Sequence, residues 1–195
     1  LGSASTASNQ TTYTWTPGSQ INNAKVLTVA GGGSGGSRYC SGGGGAGGVL
    51  YNSIVSLSGI QTIKVGNGGS YTSSSHYQND GNNGYNSQFG SYIAIGGGGG
   101  GGTDRSGKSG GSGGGGAGND SGSLTSGGTG AVSQGNNGGN GSYRPPHLRS
   151  ETTGGGGGGA SQPGVSSVLG STQAGNGGNG IDLSAHFSTI YGENG

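Results

Sequence analysis

Apolar and polar residues alternate in short stretches, all within the first 95 residues of the chain. The stretches "AKVLTVA" (24–30), "QTIKV" (61–65) and "SYIAI" (91–95) have a period of two. They are rich in β-branched and aromatic residues, the pattern of half-buried strands. "TYTWTPGSQ" (12–20) reads as a strand closed by a Pro-Gly turn, and "GGVLYNSIVSL" (47–57) as a further strand. The first 30 residues read as a strand pair. After about residue 96 the apolar positions thin out and no period of 3.6 replaces them. One short turn within "DLSAHFSTIY" (182–191) is all the helix the pattern supports.

Three of these strands run straight into a glycine block: "AKVLTVA" into "GGGSGG", "QTIKV" into "GNGG", "SYIAI" into the glycines of 96–102. Further blocks, among them "GGSGGGGAG", "GNNGGNG", "GGGGGG" and "GNGGNG", recur along the rest of the chain. They are separated by linkers of irregular length, which suits extended rods joined by loops. Polyglycine has no Cβ, so chains in the polyproline II conformation lie side by side. That conformation has three residues per turn, a rise of about 3.1 Å and no internal hydrogen bonds. Its N–H and C=O groups point outward, so each rod bonds to several neighbours. Ordering glycine carries a large entropic cost, so the lattice has to satisfy nearly all of its buried backbone groups. Strand and rod join smoothly because both are extended.

Composition sharpens this picture. Glycine supplies 57 of 195 residues and proline 4, a level that without a collagen period belongs to disordered chains. Disorder, however, goes with high net charge and few aromatics. This chain carries a net charge of +1, with nine Tyr, one Trp and two Phe. Only 7% of residues are charged, with no basic stripe to neutralise phosphates, so nucleic acid is not an expected partner. No apolar run approaches the ~18 residues of a membrane span, and membrane insertion is not expected. The single cysteine, Cys40, is either buried and inert or free for an intermolecular bond. Glycosylation sequons stand at Asn9, Asn119 and Asn140.

The chemistry-bearing motifs are few. Residues 102–109, "GTDRSGKS", spell the phosphate-binding loop of nucleotide hydrolases. That loop needs a following helix whose N-terminal N–H groups complete the anion site. Here "GGSGGGGAG" follows, and glycine costs about 1 kcal/mol per helical position. No nucleotide is expected, and Asp104, Arg105 and Lys108 read as a solvated loop tip. His76, His147 and His186 lack ligand spacing, the carboxylates form no marked pair, and no G-x-S-x-G lies on a strand-turn-helix. No catalytic residue, metal or cofactor is expected.

The opening "YTWTPGSQINNAKVLTVAGGGSGG", with "GGGGAGGVL" and "IKVGNGG", resembles the glycine-rich domain of phage tail-fibre and other virion-surface proteins. The later blocks are similar to the tip adhesins of T-even-like phages. The resemblance implies a polyglycine II sandwich whose variable loops recognise a host cell-surface receptor, an outer-membrane protein or a glycan. It places the protein outside the cell or on a virion surface.

The expected fold is therefore all-β plus polyglycine II, with short strands feeding a packed array of rods and essentially no helix. Residues 1–23 form an N-terminal strand and turn segment, and 24–195 the glycine-rich sandwich. Three functions fit: a non-enzymatic adhesin module, a self-assembling filament subunit, and an ice-binding protein with a flat rod face. For the adhesin, recognition falls to linkers on a rigid scaffold. Tyr71, His76 and Tyr77 in "SYTSSSHYQND" and Tyr143, Arg144, His147 and Arg149 in "SYRPPHLRSETT" are the candidates, because Tyr and Arg dominate binding hot spots. For the filament, Tyr13 and Trp15 alternate onto one side of an exposed strand and fit a contact with another copy. Alternatively, they cap the chain's own core.

Overall fold

The computed structural model describes residues 5–6, 9–70, 79–144 and 152–187. Its strands are β1 (Ser5–Thr6), β2 (Gln10–Trp15), β3 (Ile21–Val29), β4 (Val49–Leu57), β5 (Gln61–Gly66), β6 (Ser87–Phe89) and β7 (Tyr92–Ala94). All five stretches of alternating residues are strands. The helical content of the described residues is a single 3-10 turn at Ser184–His186.

The strands form two antiparallel sheets, one in the order β1-β2-β5-β6-β7 and the other the β3-β4 pair. β2 and β3 therefore do not pair with each other, contrary to the expectation for the first 30 residues. β2 finds a six-residue register on β5, from Gln10 opposite Gly66 to Trp15 opposite Gln61. The turn around buried Pro17 carries the chain across to the second sheet. The register aligns Tyr13 with Ile63, Ile63 with Phe89, and Phe89 with Tyr92 in one cross-strand row. Trp15, Phe89 and Tyr92 pack on Val26, Val55 and Leu57 of the β3-β4 pair. Each fully buried aliphatic there contributes about 1.5–3 kcal/mol, which makes this small sandwich the only sizeable apolar cluster of the described residues.

The glycine blocks form the rest of the core, with almost no side chains. Residues 96–102, 111–119 and 154–159 are buried throughout. Their hydrogen bonds repeat every third residue. In the 112–119 rod, Ser112, Gly115 and Gly118 donate to Ala46, Gly43 and Cys40. Gly113, Gly116 and Asn119 donate to Asn136, Gly139 and Ser142. Gly114 and Ala117 donate to Lys108 and Arg105. The carbonyls follow the same rule. Those of Ser112 and Gly115 accept from Gly98 and Gly101, those of Gly113 and Gly116 from Gly158 and Gly155, and that of Gly114 from Gly128. A β-strand has two bonding edges. This rod instead donates to three neighbours and accepts from three others, as a three-residue repeat with outward-pointing amides requires. Going round it, the neighbours are 41–48, 95–102, 105–111, 125–131, 134–142 and 152–159, alternately receiving and giving hydrogen bonds.

Close approach, rather than an unusual backbone, accounts for the glycine. The buried rod glycines have no positive φ; Gly59, Gly90, Gly122 and Gly170, which do, lie in turns. A Cβ on Gly98, Gly115 or Gly156 would instead lie within 3 Å of a neighbouring rod's backbone.

Where a rod reaches the rim, polar side chains at the same spacing stand in for a missing neighbour. Asn86, Asn83 and Asp80 accept from the N–H groups of Gly96, Gly99 and Gly102 at 2.8, 2.9 and 3.0 Å. Asn140 and Asn137 do the same for Gly127 and Gly130. Ser34 and Ser37 accept from Asn82 and Asn79. Glycine thus fills the interior, and polar side chains close the rim.

Candidate functional site

The rods run back and forth, so the array has two ends of different character. At one end the strands β3 to β7 each join a rod: β3 enters 30–37, 41–48 enters β4, β5 enters 67–70, 79–86 enters β6, and β7 enters 95–102. This end also carries the 3-10 turn, where His186 and Phe187 pack on Tyr51 with ring centroids at 4.5 and 5.7 Å.

Among the described residues the opposite end carries only turns. Hydrogen bonds tie them into one face. Thr103 Oγ1 donates to the Tyr39 carbonyl at 2.7 Å, Asp120 N–H to Asp104 Oδ1 at 3.0 Å, and Arg144 N–H to the Asn119 carbonyl at 2.9 Å. Thr152 Oγ1 reaches Asp120 Oδ1 and Cys40 Sγ, at 3.3 and 3.6 Å. Two ion pairs cross between turns, Arg105 with Asp80 at 3.5 Å and Arg144 with Asp120 at 3.8 Å. The Arg144 pair is exposed on both sides and the Arg105 pair on the Arg side only, and a surface pair contributes no more than about 1 kcal/mol. Their role is to fix where the side chains stand.

Of the residues singled out in the sequence, Tyr143 and Arg144 lie on this face. Tyr71, His76, Tyr77, His147 and Arg149 lie outside the described residues. The described chain breaks off at Ser70 and Arg144 and resumes at Asn79 and Thr152. The structure adds Arg38 and Tyr39, which the sequence reading passed over. Tyr39 is 77% exposed, with the Arg38 guanidinium 6.0 Å from its ring centre. Arg38, Cys40 and Asp104 all have positive φ (76°, 56° and 64°). Such conformations cost of order 1–3 kcal/mol and gather at binding sites and tight turns.

Tyr13 and Trp15 lie at the other end. Trp15 packs on Phe89, with ring centroids 6.2 Å apart, and on the sandwich core. Tyr13 stands opposite Ile63. β1 pairs only with Thr11 and Thr12 of β2, which leaves the outer edge of β2 beyond Thr12 without a strand among the described residues.

The G-x-x-x-x-G-K-S motif is not organised as an anion site. Thr103, Asp104 and Arg105 form the tip of a turn, but Lys108 sits within a rod. Its Nζ donates to the Gly81 carbonyl at 2.8 Å, and the N–H groups of Gly107 and Lys108 bond to Ser126 and Gly99. The sequons at Asn119 and Asn140 are structural. Asn119 is buried and its side chain accepts from Ser121, while Asn140 caps Gly127. The Asp182 carboxyl is held below the usual carboxylate range by the N–H and hydroxyl of Ser184; it is fully exposed and remote from the turn face. No three His, Cys, Asp or Glu side chains come together among the described residues. No described helix is long and apolar enough to cross a membrane.

Residues 6–195 match the family described as Glycine-rich domain. No curated protein and no solved structure matches the chain.

Proposed function

The chain belongs to the glycine-rich domain family, and from that premise we propose that it is a non-enzymatic binding module of a virion or cell surface. Its turn face would engage a receptor on another cell. The observation that carries this reading is the division of labour between the ends. The rods use most of their backbone polar groups on one another and present few reactive side chains. The turns gather Arg38, Tyr39, Tyr143 and Arg144 on one rigid face. Tyr faces stack on sugar rings, and Arg forks onto phosphate or carboxylate, so an outer-membrane protein or an anionic surface glycan is the receptor class that fits. The resemblance to phage tail-fibre tips points the same way.

The test is adsorption of the purified protein to bacterial cells or isolated outer membrane. Replacing Tyr39, Tyr143 and Arg144 together with Ala should abolish adsorption with the melting temperature unchanged. Exposed Ile54→Ala, at the strand end, should leave it intact. Adsorption that survives the triple substitution removes the turn face from recognition.

A second reading has its own observation. The β2 edge beyond Thr12 has no strand partner among the described residues and is a template for pairing with another copy. Regular fibres of the pure chain under the electron microscope would favour a filament subunit over the receptor-binding module.

A further inference from the structure

Hexagonal packing gives each rod six neighbouring positions, and the described residues do not fill all of them. In the 41–48 rod, two of the three phases are used. Gly42, Gly45 and Gly48 donate to Gly101, Gly98 and Ile95 and accept from Gly36, Gly33 and Ala30. Gly43 and Ala46 donate to Gly155 and Gly158 and accept from Gly115 and Ser112. The third phase, Gly44 and Gly47, has no hydrogen-bond partner among the described residues. In the 152–159 rod every direction is engaged except one. The N–H groups of Gly155 and Gly158 go to Gly116 and Gly113, and those of Gly156 and Gly159 to Val165 and Gln162. Those of Gly154 and Gly157 go to nothing described, although both residues are buried. In the 173–180 rod, Gly175 and Gly178 donate to Gly154 and Gly157, while their own carbonyls accept from nothing described.

These unused groups converge. Going round the 152–159 rod, the neighbours are 112–119, 41–48, a position that no described residue fills, 173–180, 162–168 and 134–142. That position is an open groove of about 610 Å³ whose walls include Gly44, Gly47, Gly157, Gly178 and Gly180. Leu27, Val29, Val49 and Leu183 close its strand end. By the alternation seen around 112–119, the position presents a donor row from the 152–159 rod and acceptor rows from the two rods flanking it. Together these rows complement one more chain of the same conformation.

We propose that this groove is a docking site for an extended glycine-rich peptide strand in the polyproline II conformation, supplied by another polypeptide. The strand would take that lattice position. Its carbonyls accept from Gly157 and Gly154, and its N–H groups donate to the carbonyls of Gly44, Gly47 and Gly178. Glycine is required wherever it touches the walls, for the reason it is required in the resident rods. The proposal depends on the lattice alone and is independent of receptor binding at the turn face.

The probe is a synthetic peptide, Lys-Gly-Gly-Asn-Gly-Gly-Asn-Gly-Lys, titrated into the ¹⁵N-labelled full chain. The control is the same peptide with Ala in place of Gly. The glycine peptide should shift the amide resonances of Gly44, Gly47, Gly154, Gly157 and Gly178 and leave the turn face unmoved; the Ala peptide should shift none. Gly177→Leu narrows the groove, and its Cβ would meet nothing nearer than the Gly157 carbonyl oxygen at 3.9 Å, so the variant should fold normally. It should weaken binding by about tenfold or more. No shifts, shifts elsewhere, or equal binding by Gly177→Leu would overturn the proposal. Sedimentation of the chain alone provides the last arm. A dimer that Gly177→Leu dissociates, with no peptide binding, would assign the groove to a second copy and reject the peptide strand.

Discussion

A single added methyl group should have opposite effects at two glycines of the array. In the central rod, a Cβ on Gly114 would lie 2.5 Å from the Gly99 carbonyl carbon and 2.8 Å from Gly100 N. Backbone rather than a movable side chain would have to yield by about 1 Å, and overpacking of that kind costs roughly 1–3 kcal/mol. The shift also strains two buried hydrogen bonds, Gly114 N–H to the Lys108 carbonyl at 2.9 Å and Gly128 N–H to the Gly114 carbonyl at 2.7 Å. A buried group left unpaired costs about 1–3 kcal/mol. Replacing glycine lowers the entropy of the unfolded chain and returns about 0.4–1 kcal/mol. Gly114→Ala should therefore destabilise by about 1–6 kcal/mol. Gly180 has nothing within 4 Å of a Cβ and no positive φ, so only the entropic part remains and Gly180→Ala should stabilise by about 0.4–1 kcal/mol. Urea unfolding at 25 °C measures both. In a calorimeter the first should lower Tm by roughly 2–24 °C and the second raise it by a few degrees. If both variants fall on the same side of wild type, contact between rods is not what the buried glycines are for.

Two further outcomes follow from the same structure. Asn83→Ala removes the acceptor of the buried Gly99 N–H and should cost about 1–3 kcal/mol, while Asn83→Asp, which keeps an oxygen at that place, should lose much less; urea titration of the pair separates a capping role from a merely solvated loop. Trp15→Ala should destabilise by about 2–3 kcal/mol, below the cost of a fully buried Trp because the ring is only half-buried, and the near-ultraviolet circular dichroism of the Trp15–Phe89 pair should disappear with the rest of the array still folded.

The strands were legible because alternation against an apolar layer leaves a period of two. β6 escaped because three residues, Ser87–Phe89, are too few to show a period. The partner of β2 was not legible, since nothing in "TTYTWT" distinguishes β5 from β3. Rods were legible as glycine blocks, but their neighbours were not, because glycine carries no side chain to label a register. The usable label lay in the polar residues between the glycines. Asp80, Asn83 and Asn86, and likewise Asn137 and Asn140, stand three apart, the period of the rod they cap. On the turn face, Tyr143 and Arg144 announced themselves as part of a cluster of Tyr, Arg and His. Tyr39 did not, because one aromatic in a short turn has no pattern. Its position is set by rods that fold back beside one another.

The central claim is that three successive amides of one rod serve three different neighbours. Scalar couplings across hydrogen bonds, measured by NMR on ¹³C,¹⁵N-labelled protein, read each donor-acceptor pair directly. The account predicts couplings from Gly114 N to the Lys108 carbonyl, from Gly115 N to that of Gly43, and from Gly116 N to that of Gly139. Couplings that instead alternate between two partners, as in a β-sheet, or amides at 114–116 that exchange freely with solvent, would contradict it.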